Sequence, residues 1–210
     1  MNEGRALILN LSKGGLGTEP AHLIGALLIT AFSQAAEARR RMPEHERRDF
    51  SLYVDEFQNF ATDSFATILS EARKWRLSMV AASQHITQLS EPLRHAVFGN
   101  CGTLIAFRVS ALDAAILAGE IGMADPAPLA QTDNFNAWAK VMREGAPMEP
   151  RLIRMHVPPP PGARFAKVLA HARARHMTPR RPVEERIAAF FPKALAKRTR
   201  RKRRRNPDNG

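Results

Sequence analysis

Short apolar runs alternate along this chain with longer stretches in which apolar residues return every three or four positions. Ala6-Leu-Ile-Leu-Asn-Leu11 is the first run, and Ser12-Lys-Gly-Gly-Leu-Gly17 closes it, which predicts a buried strand entering a glycine-rich loop. Pro20 suits the first turn of a helix, with Thr18 as a nearby cap. Leu23, Ile24, Leu27, Leu28, Ala31 and Ala35 then recur at helical steps and predict a broad apolar face turned to a core. That helix runs into Arg39-Arg-Arg41, cations suited to the negative end of its dipole; a nucleic-acid contact is the alternative for the cluster.

Beyond the polar connection 42–48, Phe50-Ser-Leu-Tyr-Val54 reads as a strand that stops abruptly at Asp55-Glu56. A helix is expected from Thr62, with Phe65, Ile68, Leu69 and Ala72 on its apolar face, and then a strand over Leu77 to Ala82 ending at Ser83-Gln84. A short helix over Glu91–Phe98, a strand over Thr103–Val109 and a helix opened by the Ser110/Asp113 capping pair follow. Ala137 to Met142 and Leu152 to Met155 close the series as late strands. Strands alternating with helices of this length predict an α/β fold: a mostly parallel sheet flanked by helices. Residues 1–157 form this core, 158–162 a proline-rich linker, and 163–210 a basic tail expected to be largely disordered.

Charge separates the same regions. Net charge is +12, yet residues 1–150 carry 14 basic and 17 acidic side chains, whereas residues 151–205 carry 18 basic side chains and only Glu184 and Glu185. The attraction for an anionic partner therefore belongs to the C-terminal quarter. Lys197, Arg198, Arg200, Arg201, Lys202, Arg203, Arg204 and Arg205 are its DNA-binding candidates, by phosphate neutralisation that is blind to sequence. A solubilising tail is the plainer reading. Cys101 is the single cysteine, which excludes a disulfide scaffold or a cysteine-cluster zinc site and fits a reducing compartment. The strongest apolar run, Leu23–Phe32, is about half the roughly 20 residues a membrane span requires, and no signal-peptide pattern opens the chain. The expected location is the cytoplasm.

Asp55-Glu56 is the most informative chemistry. An apolar strand delivers two adjacent carboxylates at its C-terminal end, where open α/β sheets bind ligands. In nucleotide hydrolases such a Walker B pair divides the work: the first acid holds magnesium and the second polarises the attacking water. The plain alternative is a pair that ends a strand and caps a turn. Gln84, at the end of the next strand, could bond a terminal phosphate and the lytic water, and Arg73, at the end of the intervening helix, could reach a phosphate at a subunit boundary. In this order and spacing the residues favour a RecA-like motor core.

The stretches Leu9–Gly17, Asp49–Asp63, Leu69–Lys74, Ala82–Gln84 and Val97–Asn100 resemble the C-terminal half of the motor domain of conjugative coupling proteins, the TraG/TraD group with its TraM-recognition region, within the FtsK/HerA-like ATPases. The resemblance implies a partial RecA-like P-loop NTPase fold. It implies ATP and Mg2+ as cofactors, Asp55 as the magnesium ligand, Glu56 and Gln84 at the nucleotide, and Arg73 as the finger presented to a neighbouring subunit. It also implies DNA, relaxosome and type IV secretion components as partners, a homo-oligomeric ring (a hexamer), and a place at the inner membrane face. One element of the pattern is missing: the sequence holds no G-x-x-x-x-G-K-[ST], so a phosphate loop must come from an upstream segment or a partner. The chain alone is not expected to turn over ATP. The alternative is a non-catalytic DNA-binding or secretion-accessory protein that keeps a remnant of the motor fold.

Overall fold

A computed structural model describes residues 1–60, 64–160, 162 and 164–190. The chain divides into two compact units, Met1–Val157 and Pro158–Gly210. In the first, a one-turn helix α1 (Lys13–Leu16) precedes the long α2 (Thr18–Glu37). β1 (Phe50–Val54), α3 (Ser64–Glu71), β2 (Leu77–Ala81) and α4 (Glu91–Asn100) follow. Then come β3 (Thr103–Ala106), α5 (Ala111–Ile121), α6 (Ala127–Ala130), β4 (Asn136–Arg143), β5 (Ala146–Pro147) and β6 (Arg151–Arg154). The second unit contains α7 (Phe165–His176) and α8 (Arg180–Phe190).

β1 and β2 pair in parallel, in the register Phe50↔Leu77 through Val54↔Ala81. Their crossover is α3 and the 3-10 turn Ala72–Trp75, so both strands end at the same edge, as in any βαβ unit. Strand alternation sends Phe50, Leu52, Val54, Leu77 and Met79 to one face. There they pack with Ile29 and Ala36 of α2, Phe57, Phe65, Ile68, Leu89 and Leu93 in the larger of two cores. The second core gathers Ala106, Ala114, Ala118, Ile121 and Leu129 beneath β3 and β4.

The parallel arrangement stops at that pair. β4 runs antiparallel to β3, β5 and β6, so the expectation of a mostly parallel sheet holds for the site-bearing strands and not for the later ones. For β5 and β6 the cause is local: Glu144 and Gly145, with φ of 52° and 83°, make a two-residue turn of left-handed residues between the paired Arg143 and Ala146, the geometry that folds a strand straight back on itself.

Other expectations also change. Ala6–Leu11 is extended but unpaired, with Leu7, Ile8 and Leu9 exposed, because no neighbouring strand among the described residues offers it a ladder. In α2 the buried positions are Ala21, Gly25, Ile29 and Ala36, whereas Leu23 and Leu27 are more than half exposed; the period marked the helix but not its inner face. Gly17, not Thr18, is the N-cap of α2. The segment Thr18–Arg41, α2 with its terminal 3-10 turn, is long and apolar enough to cross a membrane by length and composition, since uncharged Ala, Gly, Thr and Ser extend the Leu23–Phe32 run.

Within the stretch expected to be largely disordered, Phe165–His176 and Arg180–Phe190 are helical. In α8, Arg180 and Arg181 bond Glu184 and Glu185 one turn on, at 2.7 and 3.0 Å, offsetting the repulsion of a basic segment. The tail cations Lys197, Arg198, Arg200, Arg201, Lys202, Arg203, Arg204 and Arg205 lie outside the described residues.

Candidate functional site

The site forms where β1 and β2 end. Their parallel ladder continues for two more hydrogen bonds: the Ala82 N–H donates to the Val54 carbonyl and the Phe57 N–H to the Ala82 carbonyl, both at 2.9 Å. Between those bonds the chain must turn sharply, and Glu56 takes the left-handed conformation, φ 50° and ψ 45°, that ordinary residues adopt at a cost. Phe57 secures the turn. Its ring is buried in the core with its centroid 4.6 Å from that of Phe65, and a 3-10 turn over Phe57–Asn59 follows.

The Glu56 carboxylate is gripped by two amides. Gln84 Nε2 donates to Oε1 at 2.5 Å, and Gln58 Nε2 donates to Oε2 at 2.7 Å. Glu56 and Gln84, 28 residues apart in sequence, are thus joined directly across the ends of the parallel pair. Asp55 is exposed, and its Oδ1 accepts the Glu56 N–H at 3.0 Å. One exposed carboxylate fits Mg2+ only in the manner usual for that ion, with waters and nucleotide phosphates completing the octahedron. Among the described residues no cluster of three or more His, Cys, Asp or Glu side chains could hold a metal without such help.

Arg73 stands elsewhere. It is exposed on the 3-10 turn Ala72–Trp75, which feeds the opening end of β2. A five-residue strand is roughly 16 Å long, so Arg73 and the Glu56–Gln84 pair occupy opposite ends of the sheet. The turn that carries Arg73 is itself fixed by two guanidinium groups. Arg39 donates to the Trp75 carbonyl at 2.9 Å, while Arg47 donates to the Lys74 carbonyl at 2.8 Å and lies 5.3 Å from the centre of the Trp75 ring.

Three contributors were not singled out in the sequence. Gln58 lies two residues past Glu56, but only the left-handed turn brings its amide back to the carboxylate. His85 and Asp113 meet at 3.2 Å beside Gln84, a contact no local pattern announces. Asp113 was legible only as a partner of the Ser110 cap. Cys101 is half-buried, and burial pushes its thiol up, so it stays protonated and unreactive at neutral pH.

Two parallel strands ending in an acid and an amide that face each other place the candidate site at the carboxyl edge of the parallel pair in a mixed α/β fold. Residues 49–137 match the family described as the TraM recognition site of TraD and TraG. The bacterial conjugative coupling protein TrwB, in complex with ADP and Mg2+, superposes with a TM-score of 0.50 at 18% identity, over 63% of this chain and 37% of that one. An unbound form of TrwB gives 0.49 at 16% identity over 63% and 38%. The genome packaging NTPase B204 from Sulfolobus turreted icosahedral virus 2, with ATP-gammaS, gives 0.46 at 11% over 62% of each. No curated protein matches the chain. Residues 49–137 are thus similar to the TraM recognition site of TraD and TraG, and the chain spans little more than a third of the coupling-protein structures it matches.

Proposed function

We propose that this chain is part of an ATP-driven, DNA-translocating coupling protein for conjugative transfer through a type IV secretion system. The observation that carries this reading is the hydrogen bond from Gln84 to Glu56 across the ends of β1 and β2. A carboxylate held there can take a proton from water, and an amide held on the carboxylate can exchange it for a phosphate oxygen when nucleotide arrives. Asp55 would hold Mg2+ beside it, and the bound ion would neutralise charge on the transferred phosphate. Arg73, at the far end of the sheet, is unsuited to its own chain's site and suited to a neighbour's. That division supports a ring of like subunits; a place at the inner membrane face, relaxosome and secretion components as partners and DNA as the cargo complete the proposal.

A phosphate loop has to come from a preceding segment or a companion subunit. In an assembly that contains one, Asp55→Ala and Arg73→Ala abolish ATP hydrolysis, and Glu56→Gln lowers kcat by about a thousandfold. The isolated chain hydrolyses ATP no faster than its own Glu56→Gln variant. An assembly whose activity ignores all three substitutions would sink the proposal. The second reading, a non-catalytic accessory protein with a remnant motor fold, is favoured by the Ser12–Gly17 segment, where residues 13–16 coil into α1 instead of forming a phosphate cradle.

A further inference from the structure

Asp113 is 1% exposed, and among the described residues only Arg39 is a polar or charged residue buried as deeply. Capping α5 does not require its carboxylate, since the Ser110 hydroxyl already accepts the Asp113 N–H at 3.1 Å. The two carboxylate oxygens are used elsewhere. Oδ1 accepts the backbone N–H of Thr87 at 3.0 Å, and Oδ2 takes the Ser110 hydroxyl at 2.8 Å and lies 3.2 Å from His85 Nδ1. Burial alone would raise the Asp113 pKa, but the bonds from Ser110, Thr87 and His85 outweigh it and hold the group below the usual carboxylate range.

Thr87 and His85 belong to the segment between β2 and α4, and the residue before His85 is Gln84. On its other side, two residues before Gln84, stands Ala82, which the extended parallel ladder fixes to Val54 and Phe57. Ser83 Oγ donates to the His85 carbonyl at 3.2 Å and tightens the bend between. An exposed glutamine is therefore suspended between two anchors: the sheet before it, and Asp113 after it.

We propose that Asp113 is a positioning residue for the Glu56–Gln84 pair: its buried carboxylate fixes the segment 85–87 to the start of α5, so that the Gln84 amide is presented to Glu56. The geometric claim stands on these hydrogen bonds, and its consequence for turnover rests on the hydrolytic reading of the site. Through these bonds a helix beneath the antiparallel sheet bears on a pair of residues on the parallel one.

The test is the side-chain amide resonance of Gln84 in the 15N-labelled full chain, identified by its loss in Gln84→Ala. Glu56→Gln, which removes the charged acceptor, defines how far and in which direction that resonance moves. Asp113→Asn shifts it in the same direction while the backbone resonances of α5 keep their helical positions. His85→Ala removes one of the anchors at a side chain that is 48% exposed, and gives a smaller shift of the same sign. A Gln84 resonance unmoved by Asp113→Asn overturns the proposal. If Asp113→Asn disrupts α5, His85→Ala decides: a shift supports the proposal, and none overturns it. In an assembly active in ATP hydrolysis, Asp113→Asn lowers kcat about tenfold and changes KM by less than about threefold. An assembly inactive even as wild type refutes the hydrolytic reading, while the amide shift still decides the role of Asp113.

Discussion

Arg39, Arg40 and Arg41 are indistinguishable as a cluster of cations closing a helix, and the fold gives one of them a different task. The Arg39 side chain is 1% exposed. It donates to Asn2 Oδ1 and the Arg48 carbonyl at 3.0 Å and to the Trp75 carbonyl at 2.9 Å, tying the end of α2 to the turn that carries Arg73. Burial and the nearby Arg47 lower its pKa, Asp49 works in the opposite direction, and the group stays charged at any ordinary pH. Replacing it removes the donor from two part-buried carbonyls, at about 1–3 kcal/mol for each at most. Arg39→Ala should therefore lower the stability by about 3 kcal/mol, read as a fall in the urea midpoint. Arg40→Ala, at an exposed position, should stay within about 0.5 kcal/mol of wild type. Equal effects would show that charge at the helix end, and not the buried bonds, is what the cluster supplies.

For whole elements, the sequence told more about type than about facing. β1, α3, β2, α4 and α5 lie close to where their patterns put them, because strand alternation and helical spacing act within a few residues. The inner face of α2 was misread, because the helix is apolar on two sides and only its neighbours decide which side is covered. What selects Gly25 is proximity to Phe60. A Cβ on Gly25 would collide with the Phe60 ring, so the helix can approach the turn that follows Glu56 only without a side chain there. Alanine favours an isolated helix over glycine by about 1 kcal/mol. Here Gly25→Ala should nonetheless destabilise by about 1–3 kcal/mol, because the Phe60 ring must shift out of its place. Leu27→Gln, on the exposed side of the same helix, should change thermal stability little. A stabilised Gly25→Ala variant would mean that Phe60 gives way freely and that the turn holding Glu56 is looser than its hydrogen bonds imply.

Across the whole molecule, the parts that escaped the sequence are those set by distant partners. Parallel strands are normally covered on both faces, yet β1 and β2 bury one face and leave Tyr53 and Val80 exposed on the other. Glu56 and Gln84 could be read as site residues because each ends a strand, but Gln58 and Asp113 act through backbone turns and contacts that residue spacing does not encode.

Charge, by contrast, is legible without any fold, since it adds along the chain whatever the conformation. Nine of the cations lie between Lys193 and Arg205, against none of the acids in that stretch. Each one that neutralises a phosphate releases condensed counterions, so log affinity for duplex DNA should fall with log salt at a slope of up to about −8. Removing residues 193–210 should flatten that slope and abolish measurable binding at moderate salt, as read by fluorescence anisotropy on a labelled duplex of arbitrary sequence. Changing the sequence of the duplex should leave the affinity unchanged, because phosphates carry no base information. Phe190 precedes the cationic run and no aromatic residue lies within it after Phe191, so single strands should gain little from stacking. If truncation leaves both affinity and slope intact, the DNA contact lies before residue 193, and the tail is reduced to a solubilising extension.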